Sequence, residues 1–206
     1  MKSKPGYYDE CAIPSYAHRN KIVSWIFWKR INMALSIAGN VYGKSVLDFG
    51  CGSGVTFRYL HECNARITGC ENQFYDITLD ICKKLGIRIE MCKDLFELYS
   101  QKFDYIFALD VLEHLDNIDI VIDKFMELSD ERTQIIVSGP TENVLYKTGR
   151  FLIGYQGQYH KRNIYDIEKK LRAKGLKSRK IKIVSIANIS TYVLSKGEIP
   201  LEETKL

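Results

Sequence analysis

Apolar positions between Lys21 and Ala38 recur so densely in KIVSWIFWKRINMALSIA that the segment reads as one helix, interrupted by Lys29, Arg30 and Asn32 and stopped at Gly39. A membrane-spanning helix needs about 20 mostly apolar residues, so those three interruptions argue against a span. After Lys44 the pattern changes. Short apolar runs alternate with helix-length segments, the sign of β-α-β units and a parallel sheet. Strands are expected at Ser45–Phe49, Arg66–Cys70, Arg88–Met91, Tyr105–Leu109 and Gln134–Ser138. Helices are expected between them near Gly54–Cys63, Phe74–Leu85, Leu95–Ser100 and Asn117–Leu128. Beyond Pro140 a stretch with Gly149, Gly154, Tyr155, Gly157 and Tyr159 follows neither period and reads as a long functional loop. A helix from Asn163 to Ala173, capped by Asn163 and ended before Gly175, then leads to closing strands near Lys180–Ser185 and Thr191–Leu194.

With 206 residues the chain is read as a single domain, residues 1–206, carrying a helical extension at 1–42 and a covering loop at 139–162. Apolar residues make up 46% and charged residues 27%, the balance of a globular domain. The net charge of +5 arises mainly from Lys and Arg between Lys161 and Lys182. That run reads first as the solvated face of a helix and strand, since no aromatic residues interleave its second half; a nucleic-acid surface and contact with anionic lipid are the alternatives. The cysteines Cys11, Cys51, Cys63, Cys70, Cys82 and Cys92 form no C-x-x-C pair or zinc-spaced cluster, so reduced core thiols and no metal are expected. With no clean secretory signal pattern visible, a cytoplasmic location is expected.

The candidate chemistry starts where Val46-Leu47-Asp48-Phe49 runs into Gly50, Gly52 and Gly54. Glycines fall where a strand turns sharply into a helix whose amides face a ligand, as in nucleotide and nucleoside crevices. Glu71 ends the second strand roughly 20 residues on, where a carboxylate can take both hydroxyls of a ribose. NAD would satisfy both features. The spacing here, however, is G-x-G-x-G, and Asp48 stands two positions before the first glycine. A pyrophosphate disfavours negative charge at that point, whereas a cofactor with a cationic amino group and a sulfonium favours it.

VLDFGCGSG at Val46–Gly54 resembles motif I of the class I S-adenosylmethionine (SAM)-dependent methyltransferases. The likeness continues through Glu71-Asn72, Asp94-Leu95 and FDYIFALDVLEHL at Phe103–Leu115. The resemblance implies a Rossmann-like α/β three-layer sandwich with a seven-stranded, mostly parallel sheet in the order 3-2-1-4-5-7-6, the last inserted strand antiparallel. It also implies a cofactor site of Asp48, Gly50, Cys51, Gly52 and Gly54 on the loop, Glu71 and Asn72 at the ribose, and Asp94 and Leu95 at the adenine. Asp110 would line the pocket floor. Lys93 stands where a small residue is common in the family.

The acceptor side belongs to elements over the carboxyl ends of the strands. His160, in the covering loop, is the first candidate for a general base, and His114 the second, with an organising role in the pocket as its other reading. Glu142, Tyr146, Tyr155 and Tyr159 are candidates for binding a polar acceptor. The stretch GPTENVLYKTGRFLIGYQGQYHKRNIYDIE resembles a segment of uncharacterised bacterial methyltransferases of this class and identifies no acceptor. A small molecule or polar head group is expected, with RNA or a lipid-linked substrate as alternatives and a non-catalytic SAM-binding protein as a third reading. Trp25, Phe27 and Trp28 beside Lys21, Lys29 and Arg30 read first as an aromatic helix packed on the sheet edge or roofing the pocket; peripheral membrane contact through residues 21–38 is the second reading and a dimer contact the third.

Overall fold

A computed structural model of the chain describes residues 21–140, 163–184 and 189–197. The first element is helix α1, Lys21–Ala38, with the bounds the apolar pattern sets. Its composition is apolar nearly all round, yet it exposes one stripe. Trp25, Trp28, Asn32 and Ser36, three or four residues apart, face outward, while Ile31, Met33, Ala34, Leu35, Ile37 and Ala38 are buried. No helix among the described residues is long and apolar enough to cross a membrane.

Strands β1 (Ser45–Phe49), β2 (Arg66–Cys70), β3 (Glu90–Cys92), β4 (Tyr105–Leu109), β5 (Gln134–Pro140), β6 (Lys177–Val184) and β7 (Ile189–Ser195) form one sheet in the order β3-β2-β1-β4-β5-β7-β6. The first five are parallel, and β7 lies antiparallel between β5 and β6. This is the order and strand sense that the motif resemblance implies. Because both faces of β1, β4 and β5 are covered, these strands read as continuous apolar runs.

Alternate residues go to opposite cores. Val46, Phe107, Ile136 and Val193 pack with α1, with Phe57 and Leu60 of α2 (Phe57–Glu62) and with Cys82 of α3 (Tyr75–Leu85). Leu47, Ile106, Ile135 and Val137 pack with Ile118, Ile122 and Phe125 of α4 (Ile118–Glu127) and with Ile164, Ile167 and Leu171 of α5 (Ile164–Ala173). Asn163 caps α5 as its sequence predicts, accepting the amide hydrogens of Tyr165 and Asp166 at 3.0 Å each.

Three expectations shift. The helix expected over Leu95–Ser100 is a single 3-10 turn, Leu95–Glu97. Between Leu95 and Ser100 only Leu95 and Leu98 are buried, three-residue spacing that stacks them on one side of a 3-10 turn, while Phe96 and Tyr99 face outward, so no further position reaches the core to continue a helix. Strand β3 begins two residues later than expected because it pairs only with the end of β2, setting Glu90, Met91 and Cys92 beside Thr68, Gly69 and Cys70. Strand β5 runs on through Gly139 and Pro140, so the long connection begins at residue 141.

Candidate cofactor and acceptor site

The carboxyl ends of β1, β2 and β4 converge on the glycine loop. Gly50, Gly52 and Gly54 all adopt left-handed backbone, with φ of 70°, 54° and 72°. Their surroundings differ. A Cβ on Gly50 would fall 2.3 Å from Val111 Cγ2, and one on Gly54 would fall 2.4 Å from Phe57 Cδ2, so these two glycines let neighbours close in. A Cβ on Gly52 would meet nothing within 4 Å, so the loop's centre is open on that face.

The middle of the loop is fastened on both sides. The amide of Gly52 donates to Glu71 Oε2 at 3.0 Å, and Thr78 Oγ1 of α3 donates to the carbonyl of Gly52 at 2.5 Å. Glu71 Oε1 in turn accepts the amide hydrogens of Gln73 at 2.9 Å and Phe74 at 3.3 Å. Backbone donors thus orient the carboxylate at the end of β2, where the ribose reading puts it. Asn72 beside it is exposed.

Asp48 is buried below the loop, where Thr56 Oγ1 donates to its Oδ2 at 2.5 Å. Burial raises its pKa to about 7, offset in part by the Thr56 hydrogen bond and reinforced by the charge of Glu71. Asp48 therefore titrates near neutrality. Burial, with Asp48 and Glu71 nearby, drives the Cys51 thiol far above the usual range, so Cys51 packs as a neutral thiol. Cys51, Cys63, Cys70, Cys82 and Cys92 are all unbridged, as expected; Cys11 lies outside the described residues.

Asp94 also has a local task. It accepts the amide hydrogen of Phe96 at 3.0 Å while Glu97 Oε1 accepts that of Asp94 at 2.9 Å, a capping box that holds the turn beginning at the buried Leu95. Lys93 leans over the Tyr75 ring with 4.9 Å to the centroid, tying the end of β3 to α3.

On the β4 side, Asp110 has a φ of 57°. Its carboxylate pairs with the Arg30 guanidinium of α1, and Ser138 Oγ donates to its Oδ1 at 3.3 Å. Glu113 is buried in the next turn, where burial raises its pKa, partly offset by a backbone hydrogen bond and by the charges of His114 and Arg30. His114 is more exposed, its Nε2 4.0 Å from Glu113 Oε1. His160, Glu142, Tyr146, Tyr155 and Tyr159 lie outside the described residues. Thr56 and Thr78 escaped the sequence reading, and Arg30, read there with Lys21 and Lys29 as a membrane-facing cation, is instead buried because its guanidinium pairs with Asp110.

A family model for the methyltransferase domain matches residues 27–179, a stretch running from α1 into β6. The chain belongs to the methyltransferase-domain family. Its fold is that of the class I SAM-dependent members. A curated relative of this family, the ubiquinone biosynthesis O-methyltransferase of Shewanella halifaxensis, is 31% identical over 101 residues, 45% of this chain and 42% of the relative. The match thus spans less than half the length of that methyltransferase. Among solved structures, magnesium protoporphyrin IX methyltransferase from Synechocystis PCC 6803, with bound S-adenosylhomocysteine (SAH), superposes with a TM-score of 0.67 at 20% identity, covering 87% of this chain and 90% of that one. The PH0226 protein of Pyrococcus horikoshii reaches a TM-score of 0.73 at 14% identity, covering 92% and 98%. Likenesses at such identities establish the fold alone.

Proposed function

We propose that this chain transfers a methyl group from SAM to a small molecule or polar head group. The observation that carries the reading is the joined unit of Glu71 and Gly52, a ribose-binding acid bonded to the loop centre whose outer face is open. In this reading Gly50 and Gly52 meet the methionine part while the buried Asp48 braces the loop through Thr56, Glu71 and Asn72 meet the ribose, Asp94 with Leu95 the adenine, and Asp110 lines the pocket floor. When bound, SAM supplies an electrophilic methyl on a sulfonium. The protein's part is alignment of the acceptor, worth on the order of 7–11 kcal/mol for good geometry. In this reading residues 139–162 cover the acceptor, His160 takes its proton, and Glu142, Tyr146, Tyr155 and Tyr159 hold its polar groups. His114 beside the buried Glu113 organises the pocket wall, and the helical extension at 1–42 roofs it.

The basic run supports a small acceptor over RNA. Lys170 pairs with Asp119 at 2.7 Å, Lys174 pairs with Asp123, and Arg172 lies 3.8 Å from Glu168, so these three cations join α5 to α4 and to its own face. A lipid-linked acceptor is the second reading, favoured by Trp25 and Trp28, which remain 54% and 40% exposed beside Lys21 and Lys29. A cytoplasmic location accords with either.

Titration of the purified protein with SAM and with NAD tests the cofactor, SAM binding being expected and binding of NAD alone overturning the reading. Labelled SAM incubated with cell extract, then split into lipid, glycan, RNA and small-molecule fractions, identifies the acceptor class.

A further inference from the structure

The pairing of Arg30 with Asp110 joins two parts of the chain that the sequence keeps 80 residues apart. Both groups are shielded, their side chains 8% and 19% exposed, and the guanidinium also stacks 5.1 Å from the centroid of the Phe27 ring. Asp110 is held in left-handed backbone, a conformation uncommon outside glycine, asparagine and aspartate, with its amide donating to the carbonyl of Ser138 at 3.0 Å. The next residue, Val111, is the one packed against Gly50, the first glycine of the loop. The carboxylate therefore stands one residue from contact with the cofactor loop, at the end of the strand beside β1.

We infer that Arg30 is a positioning residue that neutralises Asp110 beside the reacting end of the cofactor, so that the site does not favour the sulfonium of SAM over the uncharged thioether of SAH. The inference rests on the SAM reading above. Its physical basis is the charge change of the reaction. Methyl transfer breaks the sulfur–methyl bond, the bond's electron pair stays on sulfur, and the positive charge leaves the cofactor. A bare carboxylate next to a sulfonium stabilises the reactant more than the transition state, in which that charge is already dispersing, and so raises the barrier. A buried guanidinium paired with the carboxylate cancels that pull while still fixing the turn. It also makes α1 part of the site, because the helix docked on the sheet brings Arg30 to Asp110.

The test measures SAM and SAH affinity by calorimetry in the full chain, its Arg30→Met and Asp110→Asn variants and the double variant, with thermal unfolding to verify folding. Removing the guanidinium leaves Asp110 uncompensated, and Arg30→Met is expected to shift the affinity ratio about tenfold toward SAM, the scale of one partly shielded charge at short range. Asp110→Asn removes the carboxylate and leaves the guanidinium facing Glu113; it is expected to shift the ratio toward SAH, while the double variant returns near the parent. Opposite shifts are the signature of charge, and either single variant that folds reads its own sign. A merely structural tie would weaken both ligands in parallel; a ratio unchanged in a folded single variant overturns the inference. If the parent chain binds neither ligand, the SAM reading fails first and this inference with it.

Discussion

Glu71 accepts the amide hydrogen of Gly52 across 3.0 Å, so the acid that ends β2 and the glycine at the centre of the loop after β1 form one unit. Glu71→Ala removes the acceptor of three backbone N–H groups and the carboxylate proposed for the ribose together. Charge-assisted hydrogen bonds contribute about 1.5–3 kcal/mol each, so SAM affinity is expected to fall about 10- to 100-fold, accompanied by a lower melting temperature. Calorimetry and thermal unfolding check both effects, and unchanged SAM affinity would remove Glu71 from the site.

Gly50→Ala and Gly52→Ala should fail in different ways. Both glycines are left-handed, and a side chain there costs roughly 1–2 kcal/mol. At Gly50 the added methyl also collides with Val111, so the greater loss of stability is expected there. At Gly52 it enters open space, and the expected result is a folded protein that binds SAM poorly. Melting temperature set against SAM affinity for the two variants separates packing from ligand contact.

Asp48 makes stability depend on pH in a defined direction. Its pKa rises from 3.8 to about 7 on folding, so between those values the folded chain holds a proton that the unfolded chain has lost. The contribution to stability is fully present below about pH 4, falls as pH rises to about 7, and is level above that. Denaturant unfolding across this range should show the decline, and Asp48→Asn should flatten it. Thr56→Val removes the hydrogen bond that lowers the pKa, which should carry the decline to higher pH. A slope unaltered by Asp48→Asn would show that other groups cause it.

Replacing His160 with Asn tests the base directly, once an acceptor is in hand. A drop of about 10²–10⁴-fold in turnover with SAM affinity unchanged is the expected outcome. Normal turnover would assign proton removal elsewhere.

For RNA, the prediction is absence of binding even at low salt. Lys170 and Lys174 are already matched to Asp119 and Asp123, and partly exposed pairs of this kind contribute at most about 1 kcal/mol each. Removing either lysine should therefore alter stability only slightly. Retention of RNA that weakens steeply as salt rises would instead establish an electrostatic nucleic-acid surface.

Much of this architecture was legible in order along the chain. The apolar runs of β1, β2 and β4 have the expected bounds because both faces of each are buried, leaving little ambiguity about where the strand begins and ends. The edge strand β3 was misplaced because its limits come from the length of its ladder with β2, a property of two segments at once. The turn at Leu95 was overextended because its helix-forming composition conceals that only Leu95 and Leu98 have a core to reach. Within the site, the glycine loop and Glu71 announce themselves by spacing. Arg30 does not, since its significance depends on a partner 80 residues away.

The antiparallel strand β7 has a consequence for how this site can vary. Pro140 at the end of β5 is paired with Ile189 at the start of β7, and α5 begins at Ile164, so the segment from 141 to 162 is strung between fixed posts. Lengthening a connection whose ends are already pinned costs little, about 0.6 kcal/mol for each doubling in a flexible chain. An insertion between those posts is therefore expected to leave the sheet and the glycine loop in their places.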